Sequence, residues 1–413
     1  MADELLELEV GAVAHGGACV ARYEGRVVFV RHALSGERVR AQVTEDAGRF
    51  LRADAVQVLT ASADRVAPPC PHAGPGRCGG CDWQHVHPAA QRRLKAALIA
   101  EQFARVGGIA GLEPEVEELP GGALGWRTRV TYAVDRDGRP GLHRHRSHEV
   151  EPVSSCPLGA PRIGDAEALG QEWPGLTGVE VARGAGPEVA VLGHRPGSGR
   201  QARGRRPPDR VELISGPAEL RHDLLGRRLT VSAGGFWQVH PAVAEALARA
   251  VLDAVRPRTG ERVVDLYAGA GALTSALADA VGPDGEVVGL EASAAAVIDA
   301  GRNLADRPWA DVRRGRVDAA AVRALGPTDL VVLDPPRAGA GPDVLAALVA
   351  LRPRAIAYVS CEPATLARDV RAALDAGREA GWGLAGLRAF DAFPMTQHVE
   401  CLATLRPLTG SQP

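Results

Sequence analysis

Asp265-Leu266-Tyr267-Ala268-Gly269-Ala270-Gly271-Ala272 follows the apolar run Arg262–Leu266 and precedes a helical pattern. That is a strand passing through a glycine-rich turn into a helix. Such glycines let a ligand come close to the backbone at a helix N-terminus, where unpaired N–H groups point outward. An acid, Glu291, ends the next strand, Glu286–Leu290. It lies about 20 residues on, placed to accept hydrogen bonds from ribose hydroxyls. Further out, Leu330–Leu333 and Ala355–Val359 are short apolar runs, each followed by helical periodicity, and a helix over 241–255 leads in. Alternating strand and helix predicts an α/β fold with an open, Rossmann-like sheet over 226–413.

The two-glycine turn with a leading acid favours S-adenosylmethionine over a dinucleotide. The plain alternative is a tight turn without a ligand. Asp334-Pro335-Pro336-Arg337 follows a strand, so Asp334 points into the ligand crevice and the prolines stiffen the wall. In S-adenosylmethionine-dependent methyltransferases, an acid-Pro-Pro segment here borders the methyl-acceptor pocket. Ser360-Cys361-Glu362-Pro363 places a cysteine at another strand end, where a lowered pKa would make a nucleophile. In Gln397-His398-Val399-Glu400-Cys401-Leu402, the alternation predicts an edge strand. Glu400 is then a general base if paired with Cys361, and a solvated surface acid if alone.

The N-terminal 60 residues contain five β-rich segments, Leu5–Val13, Ala18–Arg22, Arg26–Arg31, Glu37–Thr44 and Ala53–Leu59, separated by turn signals. They predict a small OB-like or SH3-like β-barrel. Residues 61–225 read as a central Cys-rich α+β domain. It holds an amphipathic helix over 88–107, strands within 127–153 and the basic stretch Arg195–Arg210, a candidate contact for RNA phosphates. His143, Arg144, His145, Arg146 and His148 alternate as along a strand. Cys70-x7-Cys78-x2-Cys81 is thiolate-rich spacing for zinc or iron–sulfur, with Cys156 the best remaining fourth ligand.

Together these segments resemble the RNA uracil-5-methyltransferase family, whose members make 5-methyluridine in tRNA or rRNA and often begin with a TRAM domain. His15-Gly16-Gly17 and Gly36-Glu37-Arg38-Val39 resemble TRAM signatures. Cys78-Gly79-Gly80-Cys81-Asp82-Trp83-Gln84-His85 resembles the family's cluster segment. Gln238-Val239 and the motifs at Asp265, Asp334, Cys361 and His398 follow in family order. The resemblance implies a TRAM barrel over 1–60, the central domain over 61–225 and a class I methyltransferase domain over 226–413. It further implies S-adenosylmethionine bound by Gln238, Tyr267, Gly269, Gly271, Glu291, Asp318 and Asp334. Cys361 would be the nucleophile, Glu400 the base, and Cys70, Cys78, Cys81 and Cys156 the ligands of a [4Fe–4S] cluster. The sequence departs from the family's pattern where Glu362, His240 and Ala272 each replace an asparagine, and where the Cys70–Cys78 gap is two residues longer. A carboxylate beside Cys361 should raise the thiol pKa unless it is turned away.

Carbon 5 of uracil is a poor nucleophile, so methylation there calls for a thiolate at carbon 6 and a base for the proton on carbon 5. An RNA cytosine-5 methyltransferase shares the nucleophile but would want a second cysteine near Asp334-Pro335-Pro336. A non-catalytic RNA-binding protein needs only the barrel and the arginines. The 413 residues, 46% apolar and 24% charged, exclude collagen, coiled coil and wholesale disorder. The net charge of −2 says little about partners. Lys95 is the only lysine, so nearly all positive charge is guanidinium, suited to phosphate. An odd cysteine count without an export signal argues against a disulfide framework. No membrane span and no obligate protein partner are expected, and the expected compartment is the cytoplasm.

Overall fold

Where apolar residues alternate, the chain builds half-exposed sheets; where they run unbroken, it builds a sheet covered on both sides. The computed structural model describes residues 5–197 and 208–408. Strands β1 (Leu5–Glu9), β2 (Cys19–Tyr23), β3 (Arg26–Arg31), β4 (Arg38–Asp46) and β5 (Phe50–Thr60) form one sheet in the order β1-β4-β5-β3-β2. In β1, Leu6 and Leu8 point inward while Glu7 and Glu9 face solvent.

Helix α1 (Pro88–Gln102) starts with proline in its first turn, and the His87 ring accepts the Ala89 N–H at 3.3 Å. Phe103–Gly107 widens into one π turn that ends at left-handed Gly108, so the helix expected to 107 is regular only to Gln102. A short strand β6 (Val116–Glu117) follows. Strands β7 (Arg129–Val134), β8 (Pro140–His143), β9 (Val150–Pro152), β10 (Gly178–Arg183), β11 (Val189–Arg195) and β12 (Arg210–Ser215) form a second sheet, ordered β12-β11-β10-β7-β8-β9. The strand read through His148 stops at His143; the chain turns there, with Arg146 at φ +52°. Arg200, Arg203, Arg205 and Arg206 lie outside the described residues, while Arg195 pairs with Glu212 at 2.5 Å. Strands β13 (Glu219–Leu224) and β14 (Arg227–Ser232) make a hairpin.

The largest sheet contains β15 (Arg262–Leu266), β16 (Glu286–Glu291), β17 (Ala310–Arg314), β18 (Leu330–Leu333), β19 (Ala355–Ser360), β20 (Trp382–Phe390) and β21 (Glu400–Pro407). Its order is β17-β16-β15-β18-β19-β21-β20-β6. Successive side chains of its central strands enter opposite cores. Val264, Leu266, Val331, Leu333 and Tyr358 pack on one side with helices α5 (Ala319–Ala324), α6 (Pro342–Ala350) and α7 (Pro363–Ala376), and with Ile99 and Phe103 of the N-terminal half. Val263, Leu330, Val332 and Ala357 pack on the other with α2 (Val243–Val255), α3 (Ala272–Val281) and α4 (Ala294–Asn303). Strand β21 is not an edge. It runs antiparallel between β19 and β20 and is buried from Glu400 to Leu405. Among the described residues, no helix is long and apolar enough to cross a membrane.

Helix α1 also grips the segment leading into β21. Lys95 Nζ, fully buried, donates to Asp391 Oδ1 at 2.5 Å and to the Phe393 carbonyl at 3.0 Å. The Met395 N–H donates to Gln91 Oε1 at 2.7 Å. Breaking a buried pair leaves an uncompensated charge at a cost of about 3–5 kcal/mol. Lys95→Met should therefore lower the melting temperature markedly, and Lys95→Met with Asp391→Asn should recover much of the loss. A single variant that melts with the wild type would remove this pair from the fold's support.

Candidate active site

Strand order reverses between β15 and β18, which opens a crevice at their C-terminal ends. A cavity of about 1180 Å³ occupies it. Gln238, Tyr267, Gly269, Glu291, Asp334, Cys361 and Glu400 all border this cavity. The turn after β15 needs three left-handed residues, Tyr267 (φ +63°), Gly269 (φ +55°) and Gly271 (φ +82°). Gly269 faces open space, where a ligand can approach its backbone. Gly271 serves close packing: a Cβ there would stand 3.3 Å from Ala300 Cβ of α4. Glu291 is held by backbone, its Oε2 accepting the Gly269 N–H at 3.0 Å and its Oε1 the Ser293 N–H at 2.6 Å. That leaves carboxylate lone pairs at the cavity wall for ribose hydroxyls, so this donor and acceptor set fits a nucleoside. Asp318 does not join them. It caps α5, accepting the Ala320 and Ala321 N–H groups at 2.9 and 2.8 Å.

Buried acids dominate the electrostatics. Burial pushes Asp265 up to about 7, although the Thr274 hydroxyl donates to its Oδ2 at 2.6 Å. Burial and then the neighbouring Asp265 push Asp334 up to about 7 as well. Glu400, far from solvated, is 2% exposed. Burial and the charge of Asp334 raise its proton affinity, and Arg337 opposes them. Ser360 pairs with Cys401 across β19 and β21, so Cys361 and Glu400, one step on, face each other at the cavity. Burial, then Glu400, push the Cys361 thiol up to about 11; Arg337 pulls it back by charge and by a hydrogen bond. The Glu362 carboxylate is turned to His15 Nε2 at 2.8 Å.

Arg337 and the aromatic wall of Trp126, Phe236 and Phe393 were not assigned roles from sequence. Arg337 was visible as the last residue of Asp334-Pro335-Pro336-Arg337. Nothing local marks Trp126, which stacks on His240 with ring centroids 5.7 Å apart.

Burial pushes the Cys70, Cys78 and Cys81 thiols up, Cys81 to about 12, and neighbouring cysteine sulfurs, Cys156 among them, add to the push. Yet among the described residues no group of three or more His, Cys, Asp or Glu is arranged to hold a metal ion. The expected [4Fe–4S] ligand set is thus not a ready-made site. Burial favours neutral thiols, and Cys78 and Cys81 accept from the Gly80 N–H at 3.4 Å and the Gln84 amide at 3.2 Å.

Three family models match the chain: the TRAM domain over residues 4–56, the methyltransferase small domain over 244–355, and tRNA (uracil-5-)-methyltransferase over 327–407. An uncharacterised RNA methyltransferase of Streptomyces avermitilis is 47% identical over 98% of both chains. The 23S rRNA (uracil(1939)-C(5))-methyltransferase of Alkalilimnicola ehrlichii is 35% identical, covering 98% of this chain and 97% of its own. The crystal structure of Pyrococcus abyssi tRNA (uracil-54, C5)-methyltransferase shares the fold, with a TM-score of 0.69 and 20% identity over 97% of this chain and all of the other.

Arg337→Gln should slow iodoacetamide alkylation of Cys361 at pH 8 roughly tenfold, the loss expected from one pKa unit. Peptide mass spectrometry reads the rate, and an unchanged rate would remove Arg337 as the stabilising charge.

Proposed function

This chain belongs to the S-adenosylmethionine-dependent RNA uracil-5-methyltransferase family, and we propose that it methylates carbon 5 of a uridine in ribosomal or transfer RNA through a covalent adduct on Cys361. The observation that carries the reading is the meeting of Cys361 and Glu400 across β19 and β21 at one cavity. The target uridine leaves its stack to enter that cavity, where Trp126, Phe236 and Phe393 offer ring faces. Cys361 loses its proton with help from the Arg337 charge. Its sulfur then bonds to carbon 6, and the carbon 5–carbon 6 π pair moves toward O4 as an enolate. S-adenosylmethionine, held by Glu291 and the turn at Gly269 with Gln238, Tyr267 and Asp334 around it, supplies the methyl that carbon 5 takes up. Glu400 accepts the remaining carbon 5 proton, the double bond re-forms, and the Cys361 sulfur leaves. A base whose proton affinity has been raised by burial is better matched to that step near neutral pH than a solvated glutamate.

Likeness over nearly the whole length to a 23S rRNA enzyme supports ribosomal RNA, and the TRAM match supports RNA contact through the N-terminal sheet. The [4Fe–4S] cluster, with zinc as its rival, enters only as a structural proposal. Thiolates at Cys70, Cys78, Cys81 and Cys156 would repel one another, and a bound cation would reverse that. No catalytic step passes through it. Anaerobically purified protein should contain iron and acid-labile sulfide; zinc, or neither, would overturn the assignment.

Transcripts of rRNA and tRNA carrying 5-fluorouracil, which has no removable proton on carbon 5, should be captured covalently on Cys361. Cys361→Ala should abolish capture and turnover. Glu400→Gln should form the adduct on natural RNA and fail to release it. If S-adenosylmethionine binds but no transcript is ever captured, the covalent mechanism is wrong.

A further inference from the structure

The residue after the nucleophile is an acid, and its carboxylate is engaged by a side chain 347 residues away. Glu362 begins α7 as its N-cap, with Oε1 3.5 Å from the Ala364 N–H and 2.8 Å from His15 Nε2. His15 sits in the turn between β1 and β2. That turn is seated on the catalytic face by contacts that do not involve the imidazole. The Gly16 N–H donates to Gln397 Oε1 at 3.1 Å, and Trp83 Nε1 donates to the Gly17 carbonyl at 2.9 Å. Gly17 is left-handed at φ +80°, and a Cβ on it would stand 3.1 Å from Gln397 Cβ. A narrow crevice lined by His15, Gln102, Cys361, Glu362 and His398 joins these groups.

We propose that His15 is a positioning residue for Cys361: it holds the Glu362 carboxylate away from the adjacent sulfur, so that seating of the N-terminal sheet sets the reactivity of the nucleophile. This rests on the reading of Cys361 given above. Without the imidazole, the carboxylate keeps one weak backbone contact and is free to turn along the crevice. A negative charge beside a thiol disfavours the thiolate, and Cys361 already faces the charges of Glu400 and Asp334, which Arg337 opposes.

The titration of the pair is consistent with that geometry. The hydrogen bond to Glu362 raises His15 above 6.5 against burial, with the charges of Glu362 and Glu101 adding. Burial works to raise Glu362, but the His15 hydrogen bond and charge, with His398 adding, bring it below 4.5. The histidine contribution is complete below 6.5 and fades as pH rises through its raised value. The glutamate contribution is complete above 4.5 and fades as pH falls through its lowered one. The charged pair therefore spans the mildly acidic to neutral range. Above it, a neutral imidazole carrying its proton on Nε2 keeps the hydrogen bond.

The test uses the full-length protein and two readouts at Cys361: the pH profile of iodoacetamide alkylation, and capture of 5-fluorouracil RNA. His15→Ala should move the alkylation midpoint up by about one pH unit, which lowers the thiolate fraction and the capture rate at pH 7.5 roughly tenfold. Adding Glu362→Gln to His15→Ala should return both to near wild type, because no charge is left to restrain. A His15→Ala profile that overlays the wild type, with capture intact in both, overturns the proposal and leaves the nucleophile standing. The same loss in the Glu362→Gln background also overturns it, since His15 would then act independently of the carboxylate. Normal turnover by Cys361→Ala, with no protein capturing RNA, removes the nucleophile assignment and this proposal together.

Discussion

The site depends on one backbone register, the antiparallel pairing of β19 with β21 that sets Ser360 opposite Cys401. A slip of one residue would turn each side chain to the other face of the sheet. Glu400 would then enter an apolar core, and Cys361 would no longer face it across the cavity. The register is enforced from both sides. Val359 and Leu402 fit one core, while Tyr358, Cys401 and Ala403 fit the other. Those contacts leave β21 no comparable alternative.

The N-terminal half contributes to this arrangement. Helix α1 and the π turn after it place Ile99 and Phe103 in the core of the largest sheet, and Gln91 and Lys95 of α1 hold the 391–395 segment from which β21 departs. The turn at His15 reaches Glu362, the residue after Cys361. The parts that read as separate units along the chain meet around one crevice.

Elements with strong local signals were legible in the sequence. Arg262–Leu266 and Leu330–Leu333 are strands over the residues expected, because a fully covered parallel strand leaves an unbroken apolar run. Asp334 and Glu291 could be placed at the crevice because strand ends in an α/β sheet converge there. Other readings failed where the deciding partner is remote in sequence. Alternation at Val399, Cys401 and Ala403 could not reveal that a second strand, β20, covers the remaining side of β21. Asp318 caps α5 through Oδ1, a use that its spacing in the sequence did not show. Glu362 looked damaging beside a nucleophile until His15 came into view. Cysteine spacing marked a gathering of thiols, but spacing carries no information about whether the surrounding backbone closes on a metal.

Lys95 supports the fold from a fully buried position, and it is the only lysine in the chain. The folded surface therefore presents no side-chain amine. Acylating dyes, lysine-directed crosslinkers and enzymes that modify ε-amino groups find nothing to act on while the molecule stays folded, apart from the α-amino terminus. Reaction at Lys95 would thus report loss of native packing around α1 and the 391–395 segment, a built-in probe of opening that needs no engineered label.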